Sequence, residues 1–246
     1  MSDRIVRKKM SSSDVDAKIT THTAVLDAHI AADPFGHFAS LFIGTNLMFH
    51  RLLWDRTAET KTGSAYCDMN AAMNGAYIAT GDTANSQIRR YRLIKGAGRG
   101  GKDRFNFGKS YIISFSYLRS VGNNANGVGF IQIKSATTHG ILAAIGVGIR
   151  VENLTLYGEA HDGTTYTSHN LNTALILQQE TDVLIYSDGD TFVKWYVNGV
   201  LKATQTVNIP KSAPNNMNCV ASIDNGATAA NTEQHMSDIL LICKKA

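Results

Sequence analysis

Cysteine is scarce in this sequence, and its placement argues against two classes of protein. The three cysteines, Cys67, Cys219 and Cys243, lie far apart and in no metal-ligand spacing. An odd number of widely separated cysteines argues against a disulfide framework, and their spacing argues against a structural zinc site. We therefore expect the chain to fold in a reducing cytoplasm, and we predict no bound metal and no cofactor.

Long hydrophobic runs are also missing. The first thirty residues contain no apolar core of a secretory signal, and no later run reaches the roughly 18 apolar residues that a membrane span needs. Charge is nearly balanced, with 24 lysines and arginines against 20 aspartates and glutamates and a net charge of +4. We therefore predict no secretion signal, no membrane insertion and no nucleic-acid partner.

Proline is rare as well, with 3 residues in 246, whereas 21 residues are glycine and 43% are hydrophobic. This composition is typical of a globular protein rather than a disordered or collagen-like one. A chain of this length can bury a substantial core, either as one large β domain with an appendage or as two small domains.

The N-terminal region, residues 1–37, predicts a basic tail followed by a short helix. Ser13 and Asp16 have the form of a capping box, and Asp33-Pro34 ends the helical pattern. The 4, 3, 4, 3 spacing of a coiled-coil seam is followed by Val15, Ile19, His22, Leu26 and His29. Because so short a helix is marginal alone, we expect it to form a homotrimeric bundle or to pack on its own domain. The two histidines would then mark polar layers that fix the register or bind an ion.

Residues 38–87 predict an irregular connector and a first strand, and residues 88–246 predict a β domain. Short segments rich in β-branched and aromatic residues alternate there with turn residues. These segments are "IRRYRLI", "YIISFSYLR", "GVGFIQIK", "GILAAIGVGIRV", "TALILQQ", "DVLIYSDG", "TFVKWYVNG", "LKATQTV" and "MSDILLIC". Without helices between them, they predict an antiparallel β-sandwich, so the chain is mainly β with a short N-terminal α-helix.

Residues 181–207, "TDVLIYSDGDTFVKWYVNGVLKATQTV", resemble the central hairpins of concanavalin A-like jelly rolls, especially the laminin G-like group. The resemblance is carried by the Asp188-Gly189 turn and by the aromatic strand that ends in Asn198-Gly199. It extends over roughly residues 88–245 and implies a jelly-roll fold. Since this fold hosts both binding modules and glycosidases, it does not assign a function.

In the glucanase branch of the family that residues 181–207 resemble, two or three carboxylates spaced two residues apart on one strand act as nucleophile and acid. Here Glu152, Glu159, Glu180 and Glu233 are isolated in the sequence. We therefore predict no catalytic residues and no enzymatic activity, and a laminarinase-like hydrolase is the less favoured alternative.

Two polar segments are candidates for binding a glycan. Asn123, Asn124 and Asn126 offer amides that can bond sugar hydroxyls from a loop tip, and the segment 159–170 contains His161, Asp162 and Tyr166. Asparagine, aspartate and glycine are also the ordinary residues of turns, so both segments have a plain structural interpretation. Tyr157 and Tyr166 are better stacking candidates than Trp195, which the strand pattern places on the core face.

Residues 22–38, "HTAVLDAHIAADPFGHF", are similar to stretches of tail-fibre and other appendage proteins of tailed bacteriophages. In those proteins a short helix leads from a trimeric stalk into a β-rich domain. The resemblance implies a virion protein, either a fibre or receptor-binding protein or a capsid decoration or head-fibre protein. Its expected partners are two further copies of itself, other virion proteins through the N-terminal region, and a host-surface polysaccharide. A non-viral laminin G-like carbohydrate-binding module is the alternative.

Overall fold

The computed structural model describes residues 47–52, 58–70, 75–95, 105–120, 127–212 and 216–244. These residues form sixteen β-strands and no α-helix. The strands are β1 (Leu47–Leu52), β2 (Ala58–Thr62), β3 (Tyr66–Asn70), β4 (Gly75–Ala79), β5 (Gln87–Lys95), β6 (Tyr111–Arg119), β7 (Val128–Lys134), β8 (Gly146–Glu152), β9 (Thr155–His161), β10 (Tyr166–Ala174), β11 (Thr181–Ser187), β12 (Val193–Val197), β13 (Val200–Gln205), β14 (Met217–Asp224), β15 (Glu233–Ser237) and β16 (Ile239–Lys244).

The strands form two antiparallel sheets. The nine-stranded sheet has the order β13-β12-β11-β6-β15-β4-β3, and β16 joins it by pairing with both β6 and β1. The seven-stranded sheet has the order β10-β9-β8-β7-β14-β5-β2. The sequence prediction of an antiparallel β-sandwich is confirmed. Among the described residues, no helix is long and apolar enough to span a bilayer.

The core lies between the sheets and follows the period of two that a strand imposes. In β12, Val193, Trp195 and Val197 belong to the buried core cluster, as the alternation of this segment predicts. Trp195 is fully buried and its Nε1 donates to the carbonyl of Gly148 at 3.1 Å. The prediction that Trp195 packs in the core rather than stacking on a sugar is therefore confirmed.

The hairpin between β12 and β13 turns at Asn198-Gly199. These residues have φ of 49° and 75°, and positive φ at both central positions is what a tight type I′ turn requires. Asn198 also ties the turn to β11, because its side-chain oxygen accepts from the Asp182 amide at 2.9 Å. The resemblance to a jelly-roll hairpin therefore has a local structural basis.

The expected connector over residues 38–87 contains four strands that belong to the sandwich. β1 pairs with β16, β2 pairs with β5, and the β3–β4 hairpin pairs with β15. The described sandwich therefore includes strands from Leu47 onward, rather than only from near residue 88. Short polar strands such as β2 are stabilised by a neighbour from another part of the chain, and their own sequence carries little sign of it.

Three further segments differ from expectation. Of the expected strand "TALILQQ", residues 173–179, only Thr173 and Ala174 belong to a strand, the end of β10. Residues 159–170, read as a polar loop, lie largely in β9 and β10, with a turn between them. In the expected strand 140–151, only the part from Gly146 onward is a strand, and the residues before it form a loop. The predicted N-terminal helix, with its seam residues and histidines, lies outside the described residues.

Candidate functional site

The outer face of the seven-stranded sheet, which points away from the core, carries most of the unusual polar side chains. In β7, Ile131 and Ile133 belong to the buried core, so Gln132 and Lys134 lie on the outer face. The same alternation places Glu159 of β9 on that face. Gln132, Lys134 and Glu159 are each no more than 1% exposed.

Gly148 of β8 lets side chains from β7 and β9 meet. It pairs with Gln132 on one side and with Glu159 on the other. Across it, Gln132 Nε2 donates to Glu159 Oε2 at 2.7 Å. A Cβ atom on Gly148 would lie 2.3 Å from the carbonyl oxygen of Ile131 and 2.8 Å from Gln132 Cγ. Glycine at this position therefore allows direct contact between residues of strands that are not neighbours.

Glu159 accepts hydrogen bonds on both carboxylate oxygens. Tyr166 Oη donates to Oε1 at 2.6 Å and Arg150 Nε donates to the same oxygen at 3.1 Å, while Gln132 occupies Oε2. Burial raises the pKa of Glu159 above its usual value, and the bonds from Tyr166, Gln132 and Arg150 act in the opposite direction. The carboxyl group is therefore fixed in one orientation.

Lys134 extends this network. Its Nζ donates to Gln132 Oε1 at 2.6 Å, so the Gln132 amide connects the lysine to Glu159. Burial lowers the pKa of Lys134 to about 8; the charge of Glu159 opposes this shift and that of Arg89 adds to it. We call Gln132, Lys134, Arg150, Glu159 and Tyr166 the polar cluster.

Arg150 joins the cluster to an aromatic ring. Its guanidinium forms ion pairs with Glu159 and Glu152 and lies 4.3 Å from the centre of the Tyr157 ring. A guanidinium over a ring face is an attractive cation–π contact and holds the ring in place. The half-buried Tyr157 therefore forms an ordered aromatic rim beside the polar cluster.

A loop of residues 135–145, which we call the strap, crosses this face. The Ser135 amide donates to the Ile145 carbonyl at 3.0 Å and closes the base of the strap. Gln132 Nε2 also donates to the Gly140 carbonyl at 3.2 Å. The His139 ring meets Phe130 of β7 edge-on at 5.1 Å, and Leu142 is 1% exposed. The strap therefore accounts for the burial of polar side chains on an outer sheet face.

Of the residues predicted to bind a glycan, the structure brings Tyr166 and His161 to this face. They are paired across β10 and β9, and Tyr166 belongs to the polar cluster. His161 Nδ1 accepts from the Gly163 amide at 2.9 Å, and Asp162 Oδ1 accepts from the amides of Thr164 and Thr165. Asp162 therefore closes the hairpin turn. Asn123, Asn124 and Asn126 lie outside the described residues.

The sequence analysis missed Gln132, Lys134 and Arg150, and it set Glu159 aside as a catalytic residue because no second acid lies two residues away from it in the sequence. Their one sequence signal is a polar residue at every second position of an otherwise apolar strand, as in "FIQIK". That pattern marks an outer face but does not say which strands are neighbours. Among the described residues, no group of three or more histidines, cysteines or acids could hold a metal ion.

No family model matches the chain, and no curated protein matches its sequence. Solved structures do match. A protein of unknown function from Shewanella oneidensis MR-1 gives a TM-score of 0.56 at 14% identity, covering 98% of this chain and 97% of that one. An endo-β-1,4-glucuronan lyase from the fungus Trichoderma reesei gives 0.55 at 11% identity, covering 81% and 95%. The binding domain of Paraclostridial mosquitocidal protein 1 gives 0.51 at 12% identity, covering 82% and 49%. These similarities establish the fold, an antiparallel β-sandwich shared by an enzyme and a binding domain.

Proposed function

We propose that this chain is a lectin-like, glycan-binding protein whose ligand surface is the outer face of the seven-stranded sheet. The polar cluster carries the proposal, because it gathers planar, hydrogen-bonding side chains from four strands on one face. Groups with shifted pKa values that converge in this way are typical of binding and catalytic sites. A sandwich neighbour that is itself a binding domain is consistent with this role.

Tyr157 supplies the second requirement for sugar recognition, an aromatic surface for the apolar face of a sugar ring. Arg150 orients this ring from the cluster side. Because the ring is already ordered, little side-chain entropy is lost when a sugar stacks on it. We therefore assign Tyr157 as the stacking residue and the half-buried Arg150 and Tyr166 as the hydrogen-bonding groups. The buried Gln132, Lys134 and Glu159 hold these two side chains in place.

A glycan array with the full chain and two variants tests this assignment. Tyr157→Ala removes the proposed stacking ring, and we expect it to weaken binding about tenfold, in line with about 1–2 kcal/mol for an aromatic contact. Tyr66→Ala removes a tyrosine that is 43% exposed on the other sheet and serves as the matched control. Equal binding by both variants would contradict the assignment, and an empty array would contradict glycan binding.

The same contacts favour binding without cleavage. Both oxygens of Glu159 are engaged by donors, and a general acid or nucleophile needs an oxygen that can reach the substrate. We propose that any bound glycan is released intact. Chromatography of a bound glycan after prolonged incubation with the protein checks this, and shorter or unsaturated products would establish an enzyme instead.

We further propose that the glycan-binding sandwich is part of a virion protein of a tailed bacteriophage. Support comes from the resemblance of residues 22–38 to phage appendage proteins and from the seam pattern that precedes the sandwich. A fibre would use the sandwich to bind a host-surface polysaccharide, whereas a decoration protein would attach to the capsid through its N-terminal region. Immunogold labelling of purified particles distinguishes the two by label on the tail or on the head. Particles without label would contradict the virion role and favour the alternative, a non-viral carbohydrate-binding module.

A further inference from the structure

Next to the polar cluster, at the β5–β14 end of the same outer face, three buried polar atoms have no hydrogen-bond partner among the described residues. They are Arg89 Nε, Ser222 Oγ and His139 Nδ1. Arg89 and Ser222 are direct partners across β5 and β14. Ser222 in turn pairs with Phe130, on which the His139 ring rests. Three unsatisfied atoms on adjoining residues are unusual, because buried polar groups nearly always find partners.

The charge balance changes along this face. At the β8–β9 end, Arg150 is neutralised by Glu152 and Glu159. At the β5–β14 end, the described part of the chain places no carboxylate at ion-pair distance from Arg89. Asp224 lies nearby, but it is engaged by Gln87 at 3.2 Å and faces His139 Nε2 at 3.7 Å. No carboxylate of the described residues therefore compensates the guanidinium at this end of the face.

Donors and acceptors at this end fit a particular kind of ligand. Arg89 Nε and the Ser222 hydroxyl can both donate to a carboxylate, and a charge-assisted bond from a guanidinium is among the stronger hydrogen bonds in proteins. His139 is neutral at ordinary pH, because burial lowers its pKa to about 4. Since its Nε2 faces Asp224, its Nδ1 is placed to accept from a hydroxyl group. A sugar that carries a carboxylate next to a hydroxyl satisfies all three atoms.

The surroundings of Arg89 suit a sugar approaching from solvent. On β5, the Arg89 guanidinium lies 5.6 Å from the Tyr91 ring, and Leu93 is 53% exposed. On the neighbouring strand β2, the residue opposite Arg89 is the small and exposed Thr60. The half-buried Tyr91 and the exposed Leu93 therefore form an apolar rim beside the guanidinium.

We propose that Arg89, Ser222 and His139 form a subsite for the carboxylate and an adjacent hydroxyl of an acidic sugar. This inference rests on the proposed glycan-binding function and specifies its ligand class. Tyr157 and the half-buried Arg150 and Tyr166 of the polar cluster bind the neighbouring part of the glycan chain, and Arg89 selects carboxylated over uncharged sugars.

The test uses carboxylated oligosaccharides, each compared with its own methyl ester. Suitable probes are oligomers of galacturonate, glucuronate and mannuronate and a sialylated trisaccharide, titrated calorimetrically into the full chain. We expect at least one acid to bind about tenfold tighter than its ester, the difference typical of a hydrogen bond to a charged group. Arg89→Gln should abolish that preference and leave the affinity for the ester unchanged.

Two further variants distinguish the loss of a specific subsite from a general effect of positive charge and from misfolding. Lys202→Gln removes one positive charge from β13 of the other sheet and should leave the preference intact. Ser222→Ala removes a hydroxyl that has no partner among the described residues, so it should keep the melting temperature and lower acid affinity a few-fold.

Each remaining outcome overturns one or both proposals. Equal binding of acids and esters, or equal losses in Arg89→Gln and Lys202→Gln, would overturn the subsite but keep glycan binding. Tighter binding of sulfated dextran than of every carboxylate would also overturn it, because the subsite is built for a carboxylate and its hydroxyl. No binding by any probe would overturn both proposals.

Discussion

His139 lies between the strap and the sheet, where burial disfavours the protonated form of its ring. Burial lowers its pKa to about 4; Asp224 opposes the shift, and Lys134 and Arg89 reinforce it. In the unfolded chain the same histidine titrates near its ordinary pKa of 6.5. Between these values the unfolded chain binds more protons than the folded one, so the contribution of His139 to the unfolding free energy increases as pH is raised from about 4 to 6.5.

Replacement of this histidine should therefore change the pH dependence of stability. We expect the unfolding free energy of His139→Gln to rise less steeply between pH 4 and 6.5 than that of the unmodified protein. The gap between the two curves has a ceiling on the order of 3 kcal/mol, the free-energy equivalent of the shift. Urea denaturation at several pH values measures it. Parallel curves would show that His139 is not buried in its neutral form.

Gly158 of β9 leaves space for the Trp195 ring on the core face of the seven-stranded sheet, between two residues that face outward. A Cβ atom there would lie 2.7–2.9 Å from three ring atoms of Trp195. The large indole therefore packs against a strand position with no side chain, while Tyr157 and Glu159 on either side point outward to the candidate site. Core packing and the ligand face are thus coupled through adjacent residues of β9.

At the scale of elements, the strap is the feature that turns a solvent-facing sheet surface into a partly buried site. Leu142 anchors it with 1% exposure, whereas the adjacent Ile141 is 52% exposed. These two residues have similar volume and opposite environments, so they form a matched pair for a test of the strap.

We expect Leu142→Ala to lower the unfolding free energy by about 2–3 kcal/mol, because it leaves a cavity under the strap. Ile141→Ala should change it by less than about 0.5 kcal/mol, as is usual for surface substitutions. A loosened strap should also speed acylation of Lys134 by an amine-reactive reagent, followed by peptide mass spectrometry. Equal acylation rates in the two variants would mean that the strap does not protect the lysine.

Elements differ in how far the sequence predicts them. β6 and the β12–β13 hairpin follow from β-branched and aromatic alternation and from Asn198-Gly199. β10 does not, because "YTSHNLNTA" is polar and its residues are mostly half-buried or exposed. Its identity as a strand depends on pairing with β9, which an isolated segment cannot reveal.

At the scale of the whole molecule, the sandwich is closed by strands distant in sequence, with β1 paired to β16 and β2 to β5. The sequence predicts that such a domain is presented in three copies, held together partly by residues 14–33. A trimeric lectin gains affinity for repeated glycans through avidity. Weak single-site binding would then be sufficient for attachment to a polysaccharide.

Sedimentation of the full chain tests the trimer. We expect the mass of three chains for the unmodified protein and of one chain for the double variant Ile19→Asn, Leu26→Asn, because polar residues at both positions remove the apolar seam. Ala24→Asn, off the predicted seam, is the control and should remain trimeric. An unchanged mass in the double variant would show that residues 14–33 do not hold the copies together.

The sequence by itself determined the all-β class, the core face of β12 and the tight hairpin turn. These features are local, because strand periodicity and turn dihedrals depend on residues close together in the chain. Only the tertiary structure decided the sheet order, the place of β1 to β4 and the contact of Gln132 with Glu159 across Gly148. The tertiary structure alone also brought together the atoms of Arg89, Ser222 and His139 that lack a hydrogen-bond partner among the described residues. Such contacts depend on which strands are neighbours, and a period of two records which face a residue occupies but not which strand lies beside it.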